Sequence, residues 1–223
     1  MRDSYRDQLD DVLHDLVALS SRIATAVRQA TFALLQADLH RAEDVIAADE
    51  HIDRMRDDID ARAFSLLARQ APVAGELRLV VATLRMVTEM ERMGDLAAHV
   101  AKIARMRYPE CAVPPDLRAN FSRMADVAEH MVLGVGRALA DRNVEDAEAV
   151  QQRDDEMDDL RRSQFRVMLG EDWPHGVEAA VDVALLGRYY ERIADHADAI
   201  ARRLVYIVTG ELPEDEPATQ PQP

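Results

Sequence analysis

Four pairs of carboxylates, each spaced by four residues, are the part of this sequence best suited to chemistry: Asp49 with Asp53, Glu91 with Asp95, Asp154 with Asp158, and Glu191 with Asp195. On a helix, residues i and i+4 share one face, with Cβ atoms about 5–6 Å apart. Two like charges so placed repel by a few tenths of a kcal/mol. A cation between them reverses that sign. Asp198 lies seven residues beyond Glu191 and adds an acid to the same face. If the helices carrying these pairs pack antiparallel, each half of the chain gathers a set of oxygen donors that suits Mg²⁺, Mn²⁺, Fe or Zn²⁺. The alternative is a solvated surface of ion pairs. Arg92 precedes Asp95 by three residues, Arg188 precedes Glu191 by three, and Arg202 follows Asp198 by four. Spacing alone leaves both readings open.

Other chemistries find less support. His99 aligns with Ala199, His196 with Leu96 and His51 with Glu156, so no histidine repeats between the halves. A four-helix di-iron centre built on paired Glu-x-x-His motifs is therefore not indicated. Cys111 lies in a Pro-rich linker, no Gly-rich elbow presents a serine, and no Walker loop or dinucleotide fingerprint occurs. No residue is assigned a catalytic role. Met86, Met90 and Met93 read as packing residues. Gly94, between Glu91 and Asp95 and matched by Ala194, leaves room for a neighbouring helix to approach closely.

The elements that must position these acids are helices. Gly (8), Pro (9) and aromatic residues (4%) are scarce, whereas Ala, Leu, Arg, Glu and Asp dominate, a composition that favours helix over sheet. Apolar spacings of three and four predict six amphipathic helices over 4–37, 39–70, 75–107, 116–141, 143–169 and 175–209. Breakers separate them: Pro72 and Gly75, then Pro109, Pro114 and Pro115, then Gly170 and Pro174. ERMGDLAAHVA at 91–101 matches ERIADHADAIA at 191–201, and DEHIDRM at 49–55 matches DDEMDDL at 154–160. An internal repeat explains both matches. The expectation is an all-α fold of two tandem three-helix bundles related by a pseudo-twofold axis. Residues 1–110 form the first repeat and 111–210 the second, and an acidic, Pro-rich tail at 211–223 is expected to be disordered.

Acidic residues outnumber basic ones by 42 to 27, for a net charge of −15. That field repels nucleic acid and anionic membrane surfaces. The longest apolar stretches are far too short to span a bilayer, and the N-terminus lacks the layout of a signal peptide. With a single cysteine no internal disulfide can form. A cytoplasmic protein without direct membrane insertion is expected.

The run Ala71-Pro72-Val73-Ala74-Gly75-Glu76-Leu77-Arg78-Leu79-Val80, then Glu89-Met90-Glu91-Arg92-Met93-Gly94-Asp95, resembles the PhoU family, as does ERIADHADAI at 191–200. The resemblance covers about residues 5–210. It implies two three-helix repeats whose E(D)-x-x-x-D motifs can hold multinuclear clusters, usually of iron or zinc. Position by position it implies Asp49, Asp53, Glu91 and Asp95 in the first repeat and Asp154, Asp158, Glu191 and Asp195 in the second. Ala98 stands where members often carry a polar group and Asp198 retains one, which implies a smaller or weaker first cluster. Functionally the resemblance implies a negative regulator of phosphate uptake and of the phosphate-starvation response. Such a regulator links the high-affinity phosphate ABC transporter (Pst) to the sensor histidine kinase by protein contacts, and family members also self-associate as homodimers. Two other readings stand beside it: a metal-free helical scaffold, and a carboxylate-metal phosphohydrolase built on two-metal sites.

Overall fold

The computed structural model describes residues 2–70 and 72–210, so the expected disordered tail at 211–223 lies outside the described residues. Among the described residues every regular element is helical: α1 (Arg2–Gln36), α2 (Leu39–Gln70), α3 (Ala74–Arg107), α4 (Arg118–Asp141), α5 (Val144–Gln151), α6 (Asp154–Met168) and α7 (Gly176–Thr209), with a short 3-10 turn at Pro115–Leu117. The all-α, two-repeat architecture expected from the sequence is the one observed.

Local chemistry sets the ends. Ala37 closes α1 in a left-handed conformation (φ 51°), and Arg142 closes α4 in the same way (φ 49°), at equivalent positions of the two repeats. Asp38 then accepts from the backbone N–H of Arg41 at 3.0 Å and starts α2, as Asn143 accepts from that of Glu145 at 2.8 Å and starts α5.

The single helix expected over 143–169 is broken at Gln152 and Arg153 into α5 and α6. The cause lies on α4. Gly134 has no side chain, and a Cβ built there would lie 2.6 Å from Val150 Cγ2. The last turn of α5 is thus drawn tightly onto α4, immediately before the break that separates it from α6. The equivalent position in the first repeat is Gln29, and there α2 runs unbroken. Periodicity cannot show this, because both sides of the break keep the same helical phase.

Two antiparallel contacts join the repeats. Between α1 and α4, Arg28 pairs with Glu129 at 3.0 Å and Arg142 with Asp10 at 2.8 Å. Between α3 and α7, His99 stacks on Tyr189 with centroids 5.4 Å apart, His196 meets Glu89 at 2.7 Å, and Arg107 engages Asp182 and Glu178. Repeat-related residues Met93 and Ile193 lie midway along this seam and are fully buried. The pseudo-twofold axis passes between them. The four helices α1, α3, α4 and α7 form the centre, with α2 flanking one side and α5 and α6 the other.

Candidate functional site

The first cluster forms where α2 lies against α3. Gly94 makes this close: a Cβ there would sit 3.0 Å from Ile52 Cγ2 and 3.6 Å from Asp49 Oδ1. Asp49 and Asp53 project from α2, Glu91 and Asp95 from α3, and all four are half-buried. Burial, reinforced by Asp95 and Asp53 and opposed by Lys102, pushes the Asp49 carboxyl up to about 6. Burial and Asp95 also raise that of Glu91, against the pull of Arg92 and Arg56. The four carboxylates therefore feel one another across the helix pair.

The second repeat builds the matching cluster where α6 meets α7. Asp154 is pushed up to about 6 by burial, then by Asp198, Asp195 and Asp158, with Arg202 opposing. Burial and Glu191 raise Asp195. Asp158 is exposed, Glu191 is half-buried, and Asp198 is buried where the first repeat has the more deeply buried Ala98. All nine acids singled out in the sequence thus fall into two clusters, one per repeat.

The ion pairs of the alternative reading are also present. Arg92 reaches Asp95 at 3.1 Å and Glu91 at 3.6 Å. Arg188 reaches Glu191 at 2.8 Å and Asp195 at 3.9 Å, and Arg202 reaches Asp198 at 2.7 Å. One partner escaped sequence reasoning. Arg161 Nε lies 3.0 Å from Glu191 Oε2, and burial lowers the pKa of its guanidinium. A signal existed, since Arg56 and Arg161 occupy equivalent positions three residues after Asp53 and Asp158. The two clusters are unequal in consequence. Glu191 is held by two guanidiniums and Glu91 by one, and among the described residues no ion pair reaches Asp49, Asp53, Asp154 or Asp158.

Donor type and charge fit a hard or borderline cation: oxygen only, in excess of the nearby positive charge. Glu191 Oε2 and Arg161 Nη1 are buried without a hydrogen-bond partner, so this part of the cluster is electrostatically paired but not geometrically satisfied. With the side chains in their present rotamers, no three of the described His, Cys, Asp and Glu residues converge tightly enough to hold one ion. An open groove of about 550 Å³ between α1 and α2 is lined by residues such as Thr25, Gln29, Ala48 and His51, and by none of the nine acids.

The raised carboxyls carry a pH prediction. The folded chain retains protons on Asp49 and Asp154 up to about pH 6, whereas the unfolded chain releases them near 3.8. Stability of the metal-free protein therefore falls as pH rises through that window. Thermal melts in chelator should give a higher Tm at about pH 5 than at about pH 7.5, and Asp49→Asn should reduce the difference, with Asp154 carrying the remainder. A Tm that rises with pH across this range would contradict the cluster electrostatics.

Among the described residues no helix is long and apolar enough to cross a membrane. A family model described as the PhoU domain matches the chain twice, over residues 16–104 and 121–204. The chain is 44% identical over 216 residues to the phosphate-specific transport system accessory protein PhoU homolog 1 of Mycobacterium leprae, spanning 97% of each. It is 44% identical over 213 residues to PhoU homolog 2 of Mycobacterium tuberculosis, spanning 96% of this chain and 100% of that one. The crystal structure of PhoU from Pseudomonas aeruginosa is similar with a TM-score of 0.86 at 29% identity, over 93% of this chain and 100% of that one.

Proposed function

Because this chain belongs to the PhoU family, we propose that it is an accessory protein of phosphate transport that restrains phosphate uptake and the phosphate-starvation response when phosphate is plentiful. The observation that carries this reading is the match of both repeats and nearly the full length to relatives named as phosphate-transport accessory proteins. In this reading the chain acts by contact, linking the phosphate ABC transporter to the sensor histidine kinase through its long helix faces, with self-association as a further contact. No catalytic residue is assigned, and nothing in the geometry favours hydrolysis over binding.

Asp49, Asp53, Glu91 and Asp95 would hold a cation in the first repeat, and Asp154, Asp158, Glu191, Asp195 and Asp198 in the second, with iron or zinc foremost and manganese or magnesium also suited to the donors. When bound, the cation supplies positive charge between α2 and α3 or between α6 and α7. The carboxylates would then tie each helix pair together where they now repel. A second reading keeps the regulatory role without metal. It is favoured by Arg92, Arg161, Arg188 and Arg202, which already pair with the cluster acids.

The role is tested by a phosphate-response reporter and phosphate uptake in phosphate-replete cells lacking this chain. Both should be high and should return to normal on complementation with the wild type. Unchanged repression, in a genome with no second copy, would sink the reading.

A further inference from the structure

The pseudo-twofold axis repeats an exposed feature that neither the fold nor the carboxylate clusters require. At the α2–α3 end, Phe64, Leu77 and Val81 are exposed, Phe64 by 63%. At the α6–α7 end, the equivalent positions are Leu169, Val177 and Val181, also apolar and exposed, Leu169 by 76%. Both sets lie on the same face as the acids. Phe64 follows Asp53 by eleven residues, as Leu169 follows Asp158, which is three helical turns. Val81 precedes Asp95 by fourteen residues, as Val181 precedes Asp195. Because α3 and α7 are antiparallel and cross near Met93 and Ile193, the two patches lie at opposite ends of one surface. A rise of 1.5 Å per residue puts Val81 and Val181 roughly 35–40 Å apart. Scattered exposed apolar residues are ordinary. The same three positions apolar in both repeats, either side of an axis, are a pattern.

Charge narrows what can cover this surface. The chain carries −15, and nine carboxylates lie between the patches against the four guanidiniums paired with them, Arg92, Arg161, Arg188 and Arg202, so a second copy or an anionic lipid surface meets like charge there. A basic protein surface meets opposite charge.

We propose that the two ends are equivalent docking patches for a two-fold-symmetric partner: a homodimer offering one apolar pocket per subunit, roughly 35–40 Å apart, with a basic surface between them. One chain then spans one dimer, its internal repeat standing in for the partner's symmetry. The two patches act as linked sites, and each raises the effective concentration of the other. The inference rests on the reading above, in which the partners are the phosphate transporter and the sensor kinase.

The test uses the detergent-solubilised intact transporter and the full-length kinase, each mixed with the full chain. Native mass spectrometry gives the stoichiometry, and interferometry gives the Kd. Wild type should bind at least one of them as one chain per symmetric partner. L77D/V81D and V177D/V181D, at exposed positions, should each raise the Kd by about 10²-fold or more, as expected when one of two linked contacts is lost. The four-substitution variant should not bind. Circular dichroism checks folding, and if either aspartate variant fails to fold, L77S/V81S and V177S/V181S replace them. Two chains per partner dimer, or either patch substituted with less than a twofold change in Kd, would overturn the proposal while leaving the regulatory role intact. Wild type that binds neither protein would overturn both.

Discussion

Glu91→Ala combined with Glu191→Ala is expected to abolish the rise in Tm that divalent cation produces at neutral pH. A cation that binds only the folded chain stabilises it by about 2.7 kcal/mol at a hundredfold excess over Kd. For a chain of this length that corresponds to roughly 5–10 °C. The double variant removes one carboxylate from each cluster, one from α3 and one from α7. The metal-free proteins separate a ligand role from a structural one. Glu91 is repelled by Asp95 and Asp53, so Glu91→Ala in chelator should melt at or above the wild-type temperature. Glu191 is the partner of the half-buried Arg161, so Glu191→Ala should cost about 1–3 kcal/mol by leaving that guanidinium alone. Equal cation-induced shifts in wild type and double variant would remove these acids from any metal site and favour the metal-free reading.

Tyr190→Ala should be the most damaging single core substitution outside the clusters, lowering the unfolding free energy by about 3–5 kcal/mol. Tyr190 is fully buried where the repeats meet. Its hydroxyl lies 2.7 Å from Thr31 Oγ1 on α1, and its ring lies 6.1 Å from that of Phe121, at the start of α4. One side chain thus joins α7 to α4 within the second repeat and to α1 of the first. Tyr190→Phe isolates the hydrogen bond and should cost about 1 kcal/mol. Denaturant unfolding of the two variants would measure both, and equal losses would mean that the hydroxyl, not the ring volume, carries the contact.

The repeat, the helical segments and the two carboxylate clusters were legible because each is a property of spacing. The four-residue spacing of Asp49 and Asp53, and of Glu91 and Asp95, fixes their common helix face wherever the helix goes. Gly94 was legible as a close approach for the same reason: an absent side chain reads the same in sequence and in space. The break at Gln152 and Arg153 was not legible. It depends on Gly134, a residue on another helix that becomes relevant only once Val150 is packed against it.

Sequence alone thus determined the helices, their duplication and the acids that share each helix face, since local periodicity and residue chemistry act along the chain. Tertiary structure decided how strongly each cluster is charged. Arg161 reaches Glu191 only when α6 lies along α7, whereas its counterpart Arg56 pairs with Asp57 rather than with Glu91. The resemblance had implied that the first cluster would be the smaller or weaker one, on the strength of Ala98. The packed side chains show a shorter list of acids there but also less positive charge holding them. Coulomb interactions depend on distances across helices, and those distances exist only after the helices have packed.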